Sequence, residues 1–219
     1  MSNIYFEIGH KNNNARIDRE RLIFLEGTDD AYFLDHVLDQ IKADSGKVGL
    51  VTVGGIGEFP SRIKGFSKTP NFTGGKVKAV SIVRDADDDF VKTNAEMKDL
   101  FKRIFGVDVS HGDVVLHDGI SYGYFLMPGV SLSGDLERLC LSTVDGLGLE
   151  KQSSDFLGGL TNPPTDHIYK RKAQIYLAGY NGDLCRGAGL GFKRGYFDHT
   201  HESLEPFKVF LGKFVSEKI

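Results

Sequence analysis

The N-terminal half of the chain alternates short apolar runs with longer segments in which apolar residues recur at helical spacing. Three of the runs predict β-strands, namely Arg21–Glu26 (RLIFLE), Gly49–Gly55 (GLVTVGG) and Lys76–Asp85 (KVKAVSIVRD). Helices are predicted after the first and third runs, because apolar side chains fall on one face of DDAYFLDHVLDQIKAD and of the segment from about Asp88 to Phe105. This alternation is typical of βαβ units and predicts an α/β fold with a parallel sheet.

The second half of the chain is less regular. Its apolar run at Tyr122–Pro128 predicts a further strand, and helices are predicted over GDLERLCLSTV, over Thr165–Tyr180 and over SLEPFKVFLGKFV. The glycine-rich GAGLGF (Gly187–Phe192) neither follows a first strand nor opens a βαβ unit, which favours a loop over a dinucleotide site. We expect a single compact unit, with a Rossmann-like core at about 20–110 and a mixed α/β elaboration at about 111–219.

Composition narrows the class of protein only slightly. The 219 residues carry a net charge of −3, so partners depend on how charge is distributed rather than on its total. No run of about 18 apolar residues predicts a membrane span, and the start of the chain lacks the apolar stretch of a secretory signal. Cys140 and Cys185 have no CxxC spacing, which argues against a zinc site or a disulfide framework and favours a reducing cytoplasm.

Acidic residues stand at the ends of two predicted strands. Glu26 ends the first strand, and Asp85, Asp87 and Asp89 follow the third. Because ligands of open parallel sheets bind at the carboxyl ends of the strands, these side chains would meet if the two strands are neighbours. Each close pair of carboxylates would repel by about 4 kcal/mol unless one is protonated or a cation neutralises them. Oxygen ligands without His or Cys favour Mg²⁺ or Mn²⁺, and with them phosphoryl chemistry.

Structural roles compete with metal binding for several of these acids. Asp88 and Asp89 can cap the following helix, and Asp29 and Asp30 suit the first turn of the helix after Glu26. We expect Asp88, Asp29 and Asp30 to be helix-start residues. Both roles stay open for Asp89.

The chain resembles a Toprim domain, the fold shared by topoisomerases, bacterial primases, OLD-type nucleases and small ribonucleases that mature ribosomal RNA. The resemblance rests on FLEGTDD, where a strand closes on Glu-Gly with an acid three residues later, and on VRDADDD, a strand-terminal Asp-x-Asp. Asp85 lies 59 positions after Glu26, which suits one intervening βα unit, as in Toprim folds. GYFLMPGVSLSGDLERLCL, KRKAQIYLA and GYFD with LEPFKVFL resemble a small stand-alone Toprim-like family of prokaryotes whose function is uncharacterised.

The resemblance implies a metal site and a role for each of its residues. It makes Glu26 a general acid/base or a metal ligand, Asp85 and Asp87 the metal-binding pair, and Asp89 a third acid. Glu137 in GDLERL resembles a downstream acid of related nucleases that completes a second metal site, although a helix-surface Glu is the ordinary alternative. The implied catalytic residues are Glu26, Asp85 and Asp87, and the implied ligands of Mg²⁺ or Mn²⁺ are Glu26, Asp85, Asp87, Asp89 and Glu137.

The activity implied by the resemblance is metal-dependent hydrolysis or nicking of DNA or RNA. We expect no tyrosine-bearing topoisomerase domain and no primase domains in a chain of this length. The GxxxxGK[ST] sequence of the ATPase that accompanies OLD-type enzymes is missing, so an ATPase partner would be a separate protein. The alternative is a non-catalytic Toprim module that binds nucleic acid or a partner protein. A glycosyltransferase-like site would explain Asp-x-Asp but not Glu26.

Two further groups of residues are candidates for binding. Cations outnumber acids from Thr161 to Arg194, a pattern that suits a nucleic-acid backbone and a solvated helix face equally well. The nucleic-acid-binding candidates are Lys170, Lys172, Arg186, Lys193 and Arg194. In FDHTHES, His199 and His201 suit a metal site less well than a polar loop whose Thr200 or Ser203 caps the last helix.

Overall fold

The computed structural model describes residues 4–7, 19–44, 46–180 and 185–216. Its strands are β1 Ile4–Glu7, β2 Arg21–Leu25, β3 Val48–Thr52, β4 Ala79–Asp85, β5 Val114–His117 and β6 Ile120–Met127. They form one sheet in the order β1-β3-β2-β4-β6-β5. All neighbouring pairs are parallel except β5 and β6, which are antiparallel. The predicted α/β fold is therefore confirmed.

Nine α-helices lie among the described residues, together with 3-10 turns at Ile56–Glu58 and Glu202–Leu204. The helices are α1 Thr28–Gln40, α2 Phe59–Phe66, α3 Pro70–Thr73, α4 Phe90–Phe105, α5 Leu136–Ser142, α6 Gly148–Gly158, α7 Ile168–Ala178, α8 Ala188–Lys193 and α9 Glu205–Val215. None of these helices combines the length and the apolar character needed to cross a bilayer. Cys140 and Cys185 are both free and buried.

Both faces of the sheet are covered by helices. Leu22 and Phe24 of β2 pack in one apolar core with α2 and α4, whereas Ile23 and Leu25 face a second core formed with α1, α5, α7, α8 and α9. Alternate residues of a strand point to opposite faces, so a strand that is covered on both faces needs apolar residues throughout. This explains the nearly continuous apolar runs at β2 and β4.

The predicted strands correspond to β2, β3, β4 and β6, and the predicted helices correspond to α1, α4, α5, α7 and α9 with shorter bounds. The prediction missed β1, β5, α2, α3, α6 and α8. The β5–β6 hairpin had a signal in the sequence. Asp118-Gly119 joins the two strands with φ angles of 48° and 77°, as a type I′ turn requires.

The GAGLGF segment is a helix, and the prediction of a loop there is wrong. The carboxylate of Asp29 accepts hydrogen bonds from the N–H groups of Gly189 (2.8 Å) and Leu190 (3.0 Å) at the start of α8. A Cβ atom added at Gly189 would lie 1.9 Å from the backbone oxygen of Asp29, and one at Gly187 would lie 2.2 Å from its carboxylate. The glycines therefore allow α8 to pack closely against the start of α1.

The chain changes direction between the two central strands. From β2 it passes through α1 to β3 on one side, and from β4 it passes through α4 to β6 on the other. β2 and β4 are themselves paired, with Phe24 opposite Ile82. Ligands of open α/β sheets bind at such a switch point, outside the carboxyl ends of the strands. The two strands with acidic ends are therefore neighbours, which is the condition under which their side chains were expected to meet.

Candidate metal centre

A buried arginine ties the two strand ends together. Glu26 follows β2 directly, and Arg84 precedes the last residue of β4. Arg84 Nε lies 3.5 Å from Glu26 Oε1, and a terminal nitrogen of Arg84 lies 2.8 Å from Asp87 Oδ2. Arg84 Nε also donates to the backbone oxygen of Asp85 at 3.2 Å. Because the side chain of Arg84 is only 6% exposed, the guanidinium is held within the group of carboxylates that it contacts.

Asp85 connects the end of β4 to the N-terminus of α5. Its Oδ1 accepts the Leu136 N–H at 2.9 Å, and Asp135 Oδ1 accepts the Arg138 N–H at 2.9 Å. The two carboxylates thus satisfy N–H groups that a helix start leaves without intrahelical partners. The same contacts bring Glu137, in the first turn of α5, to the strand ends.

Asp30 adds a carboxylate from the first turn of α1. Its Oδ2 accepts the Gly27 N–H at 2.9 Å. Burial raises the pKa of Asp30 to about 7, the hydrogen bond from Gly27 offsets part of that rise, and the charge of Glu26 adds to it. The prediction that Asp30 is a helix-start residue is confirmed, but the same side chain also faces the strand ends.

The surroundings of the carboxyl groups of Asp85 and Glu26 at the strand ends raise their pKa values. Burial raises the pKa of Asp85 well above its ordinary value, and the charges of Asp30 and Glu26 raise it further. Burial also raises the pKa of Glu26, against the attraction of Arg84. Burial and mutual repulsion both disfavour the charged form of an acid, so these groups are short of neutralising partners.

Glu137 and Lys170 belong to the same electrostatic environment. Burial raises the pKa of Glu137 to about 7, and the charge of Asp135 contributes to the rise. For Lys170 of α7, burial alone would lower the pKa, but the charges of Glu137, Asp85 and Asp135 raise it. The side chain of Lys170 is therefore an ammonium beside several carboxylates. We name the five carboxylates the strand-end cluster: Glu26, Asp30, Asp85, Asp135 and Glu137.

One fully buried oxygen of the strand-end cluster has no hydrogen bond to the described residues. Glu26 Oε1 is buried without a hydrogen-bond partner, although Arg84 Nε lies 3.5 Å away. A buried acceptor without a donor costs about 1–3 kcal/mol, which a bound cation or water would offset. Within the described ranges, no three His, Cys, Asp or Glu side chains already converge on a point suited to a metal ion. Metal binding would therefore require rotation of carboxylates in the cluster.

The other predicted metal ligands lie at the exposed edge of the strand ends. Asp87 has a left-handed backbone with φ of 54°, and its backbone oxygen accepts the Gly134 N–H at 2.6 Å. Asp89 caps α4 by accepting the Lys92 N–H at 3.0 Å. The helix start expected at Asp88 is thus wrong by one residue. Metal binding by Asp87 and Asp89 stays a prediction.

Two grooves meet at Asp87 and Asp88. The first, of about 550 Å³, runs along α4 from Arg84, and we name it the α4 groove. The second, of about 540 Å³, runs between the start of α5 and the start of α7 and includes Arg138 and Lys170; we name it the α7 groove. An extended ligand lying in both grooves would pass directly over the strand ends.

Two of the predicted nucleic-acid-binding lysines pair with buried carboxylates. Lys172 forms an ion pair with Glu150, whose side chain is 4% exposed. Lys193 Nζ lies 2.5 Å from Asp35 Oδ2, and the side chain of Asp35 is 2% exposed. Each pair links two helices, α6 to α7 in the first case and α1 to α8 in the second. These contacts give both lysines a structural role.

The other three predicted cations have different surroundings. Lys170 lies in the α7 groove beside the strand-end cluster. Arg186 and Arg194 are exposed on either side of α8. Nucleic-acid binding by any of the five cations stays a prediction, and Lys170 is the one that the structure places at the candidate site.

The two histidines of FDHTHES have different hydrogen-bond partners, one local and one distant in sequence. His201 Nδ1 accepts the Ser203 N–H at 3.2 Å and caps the 3-10 turn that precedes α9. The prediction that Thr200 or Ser203 is the cap is therefore wrong. His199 Nδ1 lies 3.1 Å from Nε2 of His36 in α1.

Sequence reasoning missed the roles of Arg84, Asp30 and Asp135 at the strand ends. The role of Arg84 could have been inferred from the sequence, because a charged residue inside an apolar strand requires a buried partner. Asp30 lies three positions after Gly27, where an acidic side chain reaches back to the N–H of the residue that precedes a helix. Asp135 directly precedes the apolar face of α5, as an N-cap does. Only the fold shows that these three side chains meet.

A family model described as a protein of unknown function (DUF3226) matches residues 20–216. Searches of curated proteins and of solved structures give no match. The matched residues include the whole strand-end cluster and helices α1 to α9. The match carries no activity with it, so the function has to be argued from the site.

Proposed function

This chain belongs to the DUF3226 family of proteins of unknown function, and we propose that it is a Toprim-type, metal-dependent phosphodiesterase that cleaves nucleic acid. The excess of carboxylates over cations at the strand ends is the observation that carries the proposal. The strand-end cluster has five carboxylates, and the cations that act on it are Arg84 and Lys170. This excess lies at the switch point of the sheet, where ligands of α/β folds bind.

The donor atoms of the strand-end cluster fit Mg²⁺ or Mn²⁺. All of them are carboxylate oxygens, which these hard cations prefer. The buried Oε1 of Glu26 has no hydrogen bond, which also fits a site where a cation or a water molecule binds. Asp85, Asp30 and Glu137 would hold the cation. When bound, a divalent cation polarises a phosphoryl oxygen and stabilises the negative charge that develops there.

Glu26 is placed to accept a proton from the attacking water. Burial raises its pKa, which brings the carboxylate closer to the range where a general base works near neutral pH. Its Oε1 has no hydrogen bond and can accept the proton, and the ion pair of the same oxygen with Arg84 Nε at 3.5 Å fixes the orientation of the side chain. Glu26 therefore combines an available lone pair with a defined position at the strand end.

Lys170 is placed to contact the phosphate of a substrate. It lines the α7 groove and lies close enough to Glu137 and Asp85 for their charges to raise its pKa. An ammonium that borders both a groove and the carboxylates can hold a phosphoryl oxygen near the water that Glu26 activates. Arg138 adds a second cation to the same groove, and its guanidinium lies 5.1 Å from the centre of the Tyr169 ring.

A cleavage assay tests the proposal. Supercoiled and linear DNA, single-stranded DNA and RNA are incubated with the protein in Mg²⁺, Mn²⁺ or EDTA. We expect cleavage of at least one of these substrates, dependent on the metal, and loss of cleavage in Glu26→Gln. Glu58→Gln is the matched control, because Glu58 is exposed and pairs only at the surface with Arg62. Equal activity in wild type and Glu26→Gln would remove Glu26 from the mechanism.

A non-catalytic binding module is the second candidate, and the contacts of Arg84 favour it. Glu26 and Asp87 are both paired with this guanidinium. Carboxylates that have a cation of their own can serve structure without chemistry. A module of this kind would bind nucleic acid or a protein without turnover in any metal, and binding would survive Asp85→Ala.

A further inference from the structure

Arg84 is the cation at the strand ends that is almost completely buried. Its side chain is 6% exposed, and it contacts Glu26, Asp87 and the backbone oxygen of Asp85 at 3.5, 2.8 and 3.2 Å. An arginine keeps its charge at any pH that a folded protein tolerates. The positive charge of Arg84 is therefore a permanent part of the site.

The acids at the strand ends fall into two groups that differ in how far nearby cations balance their negative charge. Glu26 and Asp87 share the guanidinium of Arg84, and we name this group the Arg84 side. We name the other group the α5 side; it consists of Asp30, Asp85, Asp135 and Glu137. Here Lys170 is the cation whose charge acts on the acids, so the larger share of unbalanced negative charge lies on the α5 side.

Arg84 takes the place that a cation held by Glu26 and Asp87 would need. The guanidinium already bridges the carboxylates of Glu26 and Asp87. A divalent ion bound between the same oxygens, at about 2.1 Å from each, would stand against a buried like charge. Because Arg84 is buried and also bonded to the backbone, it cannot swing into solvent without losing all three contacts.

We propose that Arg84 is a resident cation that occupies one side of the site and limits it to one divalent cation, bound on the α5 side. The proposal rests on the proposed function for the presence of that cation. It follows that Glu26 is held next to the cation site by the charge of Arg84. Arg84 is thus a positioning residue, which acts through Glu26 and Asp87.

The count of bound cations in the wild-type protein is the first test. Mn²⁺ is titrated into the full chain, and bound ions are counted from the loss of the free-ion signal in electron paramagnetic resonance and from calorimetry. We expect one Mn²⁺ per chain and no magnetic coupling between ions. Two coupled Mn²⁺, as expected for ions about 3.5–4 Å apart, would overturn this inference and leave the proposed function intact. No bound Mn²⁺ would overturn both.

Variants of Arg84 give the second test. Arg84→Gln removes the resident charge, and we expect the count to rise from one Mn²⁺ per chain to two. Arg84→Lys keeps a positive charge, so it should keep the count at one. Arg103→Gln is the matched control, because Arg103 lines the same α4 groove but is 62% exposed in its pair with Asp99. A second Mn²⁺ in Arg84→Lys, or an unchanged count in folded Arg84→Gln, would contradict the role of Arg84. If Arg84→Gln fails to fold, the number of Mn²⁺ bound by the wild type and by Arg84→Lys still tests the proposal.

Discussion

Carboxylates that are buried or half-buried occur in two settings in this protein, and the settings differ in how the charge is balanced. In the helical layer, Glu150 and Asp35 each have a lysine of their own, Lys172 and Lys193. At the strand ends, the five carboxylates of the strand-end cluster share Arg84 and Lys170 with Asp87. The first setting is a closed ion pair that joins helices, and the second leaves negative charge in excess.

The balance of charge distinguishes carboxylates with a structural role from carboxylates with a functional role. A paired buried acid holds elements together, and its removal is felt as a loss of stability. A group of acids in excess raises the free energy of the folded state unless something else binds, and such groups are found where a protein binds or reacts. The strand-end cluster is therefore the place to look for a ligand, whereas the two lysine pairs are not.

The largest expected effect comes from Asp85→Asn. The amide oxygen can still accept the Leu136 N–H, so the contact between β4 and α5 is kept while the charge is lost. We expect the cleavage rate to fall about a thousandfold, which is about 4 kcal/mol of transition-state stabilisation. The metal-free protein should not lose stability, because a buried charge has been removed. Initial rates and urea unfolding measure the two quantities.

Asp35→Asn is the counterpart in the helical layer. It removes the charge that pairs with Lys193, so we expect lower stability and an unchanged cleavage rate below the unfolding temperature. The comparison between the two settings fails if Asp85→Asn leaves the rate intact, or if Asp35→Asn abolishes it in protein that is still folded.

Lys170 and Lys172 lie two residues apart and test the same difference between the two settings. Lys172→Met leaves Glu150, whose side chain is 4% exposed, without its cation, and should cost about 3 kcal/mol of unfolding free energy. Its cleavage rate should stay unchanged. Lys170→Met should lower the rate about a hundredfold, or about 3 kcal/mol, with a smaller change in stability. Urea unfolding in Mg²⁺ and rate measurements on both variants make the test, and the reverse pattern would refute the assignment of the two lysines.

Four of the six described strands and one part of the site were predictable from sequence because they follow from local rules. Apolar runs that end in acids indicated β2, β4 and their acidic ends, and these strands are neighbours. The position of a ligand site outside the carboxyl ends is a general property of α/β sheets. Glu26 and Asp85 were therefore within reach of sequence reasoning.

The remaining features depend on contacts between distant segments. Asp30 was predicted only as a helix-start residue, because nothing in its local sequence shows that α5 folds against it. The loop predicted at GAGLGF is a helix because Asp29, about 160 positions earlier, satisfies the N–H groups at its start. Lys170 and Lys172 look equivalent in sequence, and only the fold turns one to the strand-end cluster and the other to Glu150.

The smallest expected effect is a dependence of stability on pH. Burial raises the pKa values of Asp30 and Glu137 from 3.8 and 4.5 to about 7. Well below pH 3.8 each carboxyl is protonated in both the folded and the unfolded chain. As the pH rises toward 7 the unfolded chain loses these protons first, so the free energy of unfolding of the metal-free protein should fall by about 1.4 kcal/mol per pH unit for each group. Above pH 7 the folded protein ionises too, and this loss levels off.

Urea unfolding at pH 5, 6 and 7 in EDTA, on wild type and Asp30→Asn, isolates the contribution of one group. The variant has no carboxyl at position 30, so its stability should fall less steeply than that of wild type, by about 1.4 kcal/mol per pH unit. Mg²⁺ should reduce the fall in the wild type, because a bound cation favours the ionised carboxylates. Equal slopes in the two proteins would mean that Asp30 is not held protonated, and the strand-end cluster would then be balanced in the same way as the lysine pairs.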